Sequence, residues 1–192
     1  MSRLRVLIAE DEAIIRLDLK EILEELGHIV VGEAWDGETA LELAETLKPD
    51  LAILDIKMPG MNGIEVARLI TAAGICPVVM LTAYSQKSLI DEAIKAGAMA
   101  YLVKPFNKSD LLPAIEVARS RFLEMQELEK QVRNLEDRLE TRKLVERAKG
   151  TLMKKLDLDE ASAFRQLQKW SMDKQLSLKQ VAESILKAEE QI

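Results

Sequence analysis

Between residues 4 and 103 the chain carries five short, nearly unbroken apolar runs, at 4–9, 29–33, 51–54, 78–81 and 100–103. Amphipathic segments of helical period lie between them, near 12–26, 37–48, 62–73 and 87–96, and another begins near Ser109. A strand that is apolar at successive positions, not alternate ones, needs cover on both faces. Strands of that kind alternating with helices leave one economical solution. The expected fold class is α/β, a doubly wound five-stranded parallel sheet with helices on both sides.

The character of the chain changes near residue 114. All five prolines and seven of the eight glycines precede it, and Gly150 is the one glycine beyond it. Turns therefore crowd the first part, and the remainder must be helix with few connections. Charge divides too. Residues 1–140 hold 16 Lys and Arg against 25 Asp and Glu, a net of −9, whereas residues 141–192 hold 11 against 8, a net of +3. An acidic module followed by a basic one suggests partners of opposite charge preference. The uncharged stretch 69–86 contains Gly74 and Pro77 and reads as loop plus buried strand, not as a membrane span. The N-terminus shows no signal-peptide pattern, so a cytoplasmic location without membrane attachment is expected. One cysteine, Cys76, and one histidine, His28, exclude an intrachain disulfide, a Cys-rich zinc site and His-pair metal motifs.

In doubly wound sheets, ligands bind beyond the carboxyl ends of the strands. There the sequence turns polar: Glu10-Asp11 after the first run, Asp55 after the third, Thr82-Ala83 after the fourth, Lys104-Pro105 after the fifth. Any one of these reads most simply as an ordinary loop residue. Five of them at four strand ends point to a shared edge. Three carboxylates packed together repel one another, and a hard divalent cation such as Mg²⁺ relieves that repulsion while leaving room for a phosphate oxygen. Lys104 and Thr82 suit an incoming phosphoryl group, and Asp55 can act as nucleophile to form an aspartyl-phosphate.

The strings Val6-Leu7-Ile8-Ala9-Glu10-Asp11-Glu12, Leu54-Asp55-Ile56-Lys57-Met58-Pro59-Gly60-Met61-Asn62-Gly63, Leu81-Thr82-Ala83 and Tyr101-Leu102-Val103-Lys104-Pro105-Phe106 resemble the receiver domain of two-component response regulators. The resemblance spans about residues 3–121 and implies the flavodoxin-like version of the sheet, in a domain covering 1–121. It implies phosphorylation of Asp55 by a sensor histidine kinase. Mg²⁺ would be bound by Glu10, Asp11, Asp55 and the backbone carbonyl of Lys57, with Glu10 acting through water. Thr82 and Lys104 would contact the phosphoryl group, small Ala83 would leave its approach open, and Tyr101 would change orientation with it. The family often has two aspartates where this chain has Glu10-Asp11, and its Lys104–Pro105 bond is expected to be cis.

From Ser109 the helical pattern continues to at least Lys149. Met125, Leu128, Val132, Leu135 and Leu139 follow the 3-4 spacing of a coiled coil, over a linker assigned to 122–140. Two readings stand level: a coil that makes a homodimer, and a helix packed back on its own receiver. Beyond it, a small three-helix all-α domain is expected over 141–192, its first helix beginning as early as 136. Capping-box spacing at Asp157/Glu160 and Ser177/Gln180 marks the later helix starts. The core candidates are Leu144, Ala148 and Leu152, then Ala163, Phe164, Leu167 and Trp170, then Val181, Ala182, Ile185 and Leu186. Lys143, Arg147, Gly150 and Lys154 share one helix face within roughly 60°. Periodicity alone reads that face as solvated charge with an incidental glycine; close approach of another backbone is the alternative.

The run Arg142-Lys143-Leu144-Val145-Glu146-Arg147-Ala148-Lys149-Gly150-Thr151-Leu152-Met153, followed by Glu160-Ala161, Ala163-Phe164, Leu178 and Val181-Ala182, resembles the ANTAR domain, a helical RNA-binding module of antitermination regulators. The family commonly has a glycine where this chain has Leu156-Asp157, and a small residue at Trp170. The resemblance implies binding of structured RNA, as stem-loops in nascent transcripts, with Lys143, Arg147, Lys149, Gly150 and Lys154 as candidate contacts. The leading expectation is a phosphorylation-controlled RNA-binding antiterminator, in a dimer. The alternative is a receiver-controlled protein-docking module without RNA binding. DNA binding fits less well, because no helix-turn-helix spacing stands out. No nucleophile–base pair suggests an independent enzyme.

Overall fold

The computed structural model describes residues 3–83 and 87–190, so the end of the 69–86 stretch lies outside the described residues. Strands β1 (Arg5–Ala9), β2 (Ile29–Ala34), β3 (Leu51–Asp55), β4 (Val78–Thr82) and β5 (Ala100–Val103) form one parallel sheet in the order β2-β1-β3-β4-β5. The helices are α1 (Ala13–Glu25), α2 (Gly37–Leu47), α3 (Gly63–Ala72), α4 (Lys87–Lys95), α5 (Lys108–Leu156), α6 (Glu160–Lys174) and α7 (Leu178–Glu190). Among the described residues none is long and apolar enough to cross a membrane. Doubly wound α/β, as expected, is the architecture.

Successive strand residues supply opposite cores, which accounts for the unbroken apolar runs. Leu7, Leu54 and Met80 join Ala40 and Ala44 of α2 and Val66, Ala67 and Ile70 of α3. Val6, Ile8, Ile53 and Leu81 join Leu19 and Leu23 of α1 and Leu111 and Ile115 of α5. Each of these side chains is fully buried, worth roughly 1.5–3 kcal/mol for the larger aliphatics. A one-residue slip of a central strand would exchange the two cores, so register is strongly specified.

Polar caps set the helix starts. Asp36 accepts the Thr39 N–H at 2.7 Å at the head of α2, and Asn62 accepts the Glu65 N–H at 2.9 Å at the head of α3. At α5, Asn107 accepts the Ser109 N–H while Asp110 accepts the Asn107 N–H. The helix then runs 49 residues, with Pro113 inside it. Its early part belongs to the receiver core, where Phe122 is buried and Met125 packs alongside. Leu128, Val132, Leu135 and Leu139 are each more than half exposed.

The chain divides into two compact units, residues 1–127 and 128–192. In the second, Val145, Ala148 and Leu152 of α5 meet Ala163 and Leu167 of α6 and Val181, Ala182 and Leu186 of α7, with Phe164 and Trp170 against them. Ser177 and Gln180 form the expected reciprocal cap. The expected Asp157/Glu160 box does not form. Asp157 instead takes a left-handed φ of 54° just past α5, the role often given to glycine, and Asp159 accepts the Ser162 N–H at 2.6 Å. The cap therefore stands two residues on, past the left-handed residue that ends α5.

Candidate functional site

β1 is the point where the strand order reverses, with β2 on one side and β3 on the other, so a crevice opens at the carboxyl ends of β1 and β3. Glu10 and Asp11 follow β1 and Asp55 ends β3, and one oxygen from each lies within 4.8 Å of the others. Lys104, just past β5, places Nζ 2.7 Å from Asp55 Oδ1 and 2.5 Å from Glu10 Oε2. Beyond that ion pair, the buried Glu10 Oε2 has no hydrogen-bond donor. The second Asp55 oxygen accepts the Lys57 N–H at 2.8 Å. Lys104 is joined to Pro105 by a cis peptide bond.

Burial raises the Glu10 carboxyl above its ordinary value; the Lys104 ammonium pulls it back and the charge on Asp55 pushes it up again. Burial also opposes the charge on Lys104, but the Asp55 and Glu10 carboxylates outweigh it and hold that group above the usual lysine value. The Lys104 ammonium thus stands against a cluster of three carboxyl groups, of which Glu10 is wholly buried and Asp11 exposed. An all-oxygen cluster with a surplus of negative charge and an under-bonded buried oxygen fits a hard divalent cation. The crevice, about 300 Å³, is lined by Asp11, Glu12, Asp55, Ile56, Lys57, Thr82, Ala83 and Lys104. Thr82 is buried at the end of β4. Tyr101 stands apart from this group: it is about half exposed and lines a different, mostly apolar cavity with Ile94, Pro113 and Val117.

Two residues support the site in ways the sequence does not reveal. The guanidinium of Arg16, one turn into α1, donates to the Glu10 carbonyl at 2.6 Å and lies 3.7 Å from Glu33. Gly63 brings the head of α3 against the end of β3: a Cβ there would stand 1.8 Å from the Asp55 carbonyl oxygen. The glycine is visible in the Met-Pro-Gly-Met-Asn-Gly string, but what it must clear is not. Cys76 is buried, which pushes its thiol up to about 12 and makes it a poor nucleophile.

In the second unit, Lys143, Arg147 and Lys154 are exposed on α5, and a Cβ at Gly150 between them would meet nothing within 4 Å. Among the described residues, no backbone approaches that glycine. Lys149 is placed differently from the rest of the set. Its ammonium lies 2.8 Å from Glu160 and 2.9 Å from Glu146, 6.0 Å from the centre of the Phe164 ring, and is largely covered. The Glu160 hydrogen bond, then that to Glu146, raises its pKa. Lys149 therefore ties α5 to α6, and Glu160 serves that bond instead of a capping box.

Residues 6–116 match the response regulator receiver domain, and residues 133–186 match the ANTAR domain. The chain is 57% identical over 182 residues to the transcriptional regulatory protein PdtaR of Mycobacterium tuberculosis, covering 95% of this chain and 89% of that protein. It is 40% identical over 112 residues to the chemotaxis protein CheY of Thermotoga maritima, covering 58% of this chain and 93% of that one. Among solved structures, the response regulator domain of Thermotoga maritima CheB superposes with a TM-score of 0.57 at 34% identity, over 62% of this chain and 98% of that one. With its acidic crevice at the switch of strand order and its helical C-terminal unit, the chain belongs to the response regulators that join a receiver domain to an ANTAR domain.

Proposed function

We propose that Asp55 accepts a phosphoryl group from a sensor histidine kinase, and that this event controls binding of structured RNA by the C-terminal unit in transcription antitermination in the cytoplasm. The carrying observation is Asp55 itself, held at one oxygen by Lys104 and at the other by the Lys57 N–H, inside a cluster of oxygen donors. An Asp55 oxygen attacks phosphorus, the P–N bond to the donor histidine breaks, and the electron pair leaves with the imidazole. Glu10, Asp11, Asp55 and the Lys57 carbonyl would hold Mg²⁺, which when bound neutralises charge on the carboxylates and phosphoryl oxygens. The Lys104 ammonium, already beside Asp55, turns to a phosphoryl oxygen, and the Thr82 hydroxyl hydrogen-bonds another. Ala83 presents no bulk against the incoming group. Tyr101, now half exposed, follows Thr82 and changes the face made by β4, α4 and β5.

The exposed stripe Leu128, Val132, Leu135 and Leu139 supports a homodimer through the helical linker. On the C-terminal unit, Lys143, Arg147 and Lys154 meet RNA phosphates, and Gly150 leaves room for a close backbone. Lys149 supports that face from behind by fixing α6 against α5. Two stem-loops read by two copies would account for a dimer, with unpaired loop bases providing sequence preference.

The test uses full-length protein with a small-molecule phosphodonor and Mg²⁺. Wild type should gain one phosphoryl group by intact mass, and Asp55→Asn should gain none. A salt-titrated stem-loop binding assay should show affinity falling with a slope of roughly −0.7 to −0.9 per phosphate contact, reduced when Lys143 and Arg147 become Ala. Phosphorylated wild type that binds no RNA at any salt concentration would sink the antitermination reading and favour phosphorylation-dependent protein docking.

A further inference from the structure

The loop between β3 and α3 carries Lys57, whose N–H donates to Asp55 Oδ2. At its far end the Gly63 N–H donates to the Ile56 carbonyl at 3.0 Å, which closes the loop on itself. The middle has no strand or helix of its own. It is held from outside by the first turn of α2: Glu38 Oε1 accepts the Met61 N–H at 3.0 Å, and the Gly37 N–H points to the Pro59 carbonyl at 3.5 Å. The Glu38 carboxylate sits tightly over Gly60, where a Cβ would lie 2.3 Å from Oε2 and 2.6 Å from Oε1. Gly60 has a φ of 67°, a left-handed conformation that only glycine adopts without strain. The loop is thus shaped to receive one carboxylate from α2, more than 20 residues earlier in the chain.

We infer that Glu38 is a positioning residue for the phosphoacceptor site, bracing the β3–α3 loop so that Lys57 presents its N–H to Asp55 and its carbonyl towards the crevice. This rests on the reading of that crevice as an Mg²⁺ site. Glu38 never touches the metal or Asp55; it acts through the loop backbone. Without the brace the loop samples other conformations, and each one that moves Lys57 lowers the fraction of molecules ready to bind a cation.

The experiment compares full-length wild type, Glu38→Ala and Glu38→Gln. Magnesium chloride titration calorimetry gives the affinity, and amide hydrogen exchange without metal reads Lys57 and Met61. Glu38→Gln keeps an oxygen for the Met61 N–H but loses the negative charge at the head of α2, so it separates bracing from helix-dipole stabilisation. Glu38→Ala should bind Mg²⁺ about threefold to tenfold more weakly, at or below the ~10–100-fold typical of partners bonded directly to ligand groups. Lys57 and Met61 should exchange faster, and Glu38→Gln should restore both readouts. Equal Mg²⁺ affinity in Glu38→Ala and wild type, or unchanged Lys57 exchange, would overturn the brace alone. Wild type that binds no Mg²⁺ would overturn the metal reading and the brace with it.

Discussion

Replacing Lys104 with methionine removes one positive charge while keeping most of the side-chain volume. Its Nζ lies 2.5 Å from Glu10 Oε2 and 2.7 Å from Asp55 Oδ1, and side-chain exposure is 11% for Lys104, 0% for Glu10 and 7% for Asp55. This is a largely desolvated charge cluster, and losing one partner of such a pair costs about 3–5 kcal/mol when the remaining charges stay ionised. In a domain of this size that corresponds to a fall in melting temperature of roughly 10–20 °C. The loss should depend on pH in a defined direction. In wild type the Glu10 carboxyl is already above its ordinary value, first through burial, and the Lys104 ammonium restrains it. A carboxyl whose folded-state value is raised contributes stability that is present at low pH and is lost as pH rises through that value. Methionine at 104 lifts the restraint, so Glu10 rises further and the window of lost stability extends towards neutral pH. Thermal melts of Lys104→Met should therefore show a larger deficit at pH 8 than in acid, because protonating Glu10 relieves the repulsion. Millimolar Mg²⁺ should recover much of the deficit at pH 8 by taking over the charge compensation. A variant as stable as wild type at pH 8 without added cation, with a flat pH profile, would refute the electrostatic account of the crevice.

Two further perturbations address the second unit. Leu167→Ala empties a fully buried position in a core shared by three helices, at a cost of about 2–5 kcal/mol. A unit of that size has roughly 3–10 kcal/mol in total. Calorimetry should show an early transition lost or shifted while the receiver transition and Asp55 phosphorylation persist; a uniform shift of both would contradict two separate cores. Gly150→Ala adds a methyl group to open space in a helix interior and should stabilise the unit by about 0.5–1 kcal/mol. If that face receives RNA at close range, the same variant should bind stem-loop RNA more weakly; a variant that is more stable and binds equally well makes the glycine incidental.

Much of the receiver was legible because its signals are local. Unbroken apolar runs at strand spacing predict the two-sided sheet, and the polar residues at their ends predict which edge is chemical. The boundaries moved by a residue or so where ladder hydrogen bonds outlast the apolar run: β3 takes in Asp55 and β4 takes in Thr82. The C-terminal core was also readable, since Ala148, Leu152, Leu167 and Ala182 recur at helical spacing on faces that then meet. The cap of α6 was not, although its start near 159 was. Asp157 and Asp159 are the same residue type two positions apart, and only the turn of the backbone decides which one caps.

Lys149 illustrates the limit most clearly. In the sequence it is one more cation in the basic run from Arg142 to Lys155, although the helical period sets it more than about 100° around from the face of Lys143, Arg147 and Lys154. The tertiary structure brings Glu160 and the Phe164 ring of α6 to it, and the ammonium becomes a link inside the domain. Arg16 on the Glu10 carbonyl and Glu38 on the Met61 amide are of the same kind, as charged side chains serving backbone atoms from another element. Residue type and period therefore determined the layers of this protein, the edge that holds its carboxylates, and the division into an acidic and a basic unit. Folding alone decided which charges are spent on holding the molecule together and which stay available, because hydrophobic burial follows a repeating pattern along the chain, whereas charge pairing depends on a few ångströms between residues the chain keeps far apart.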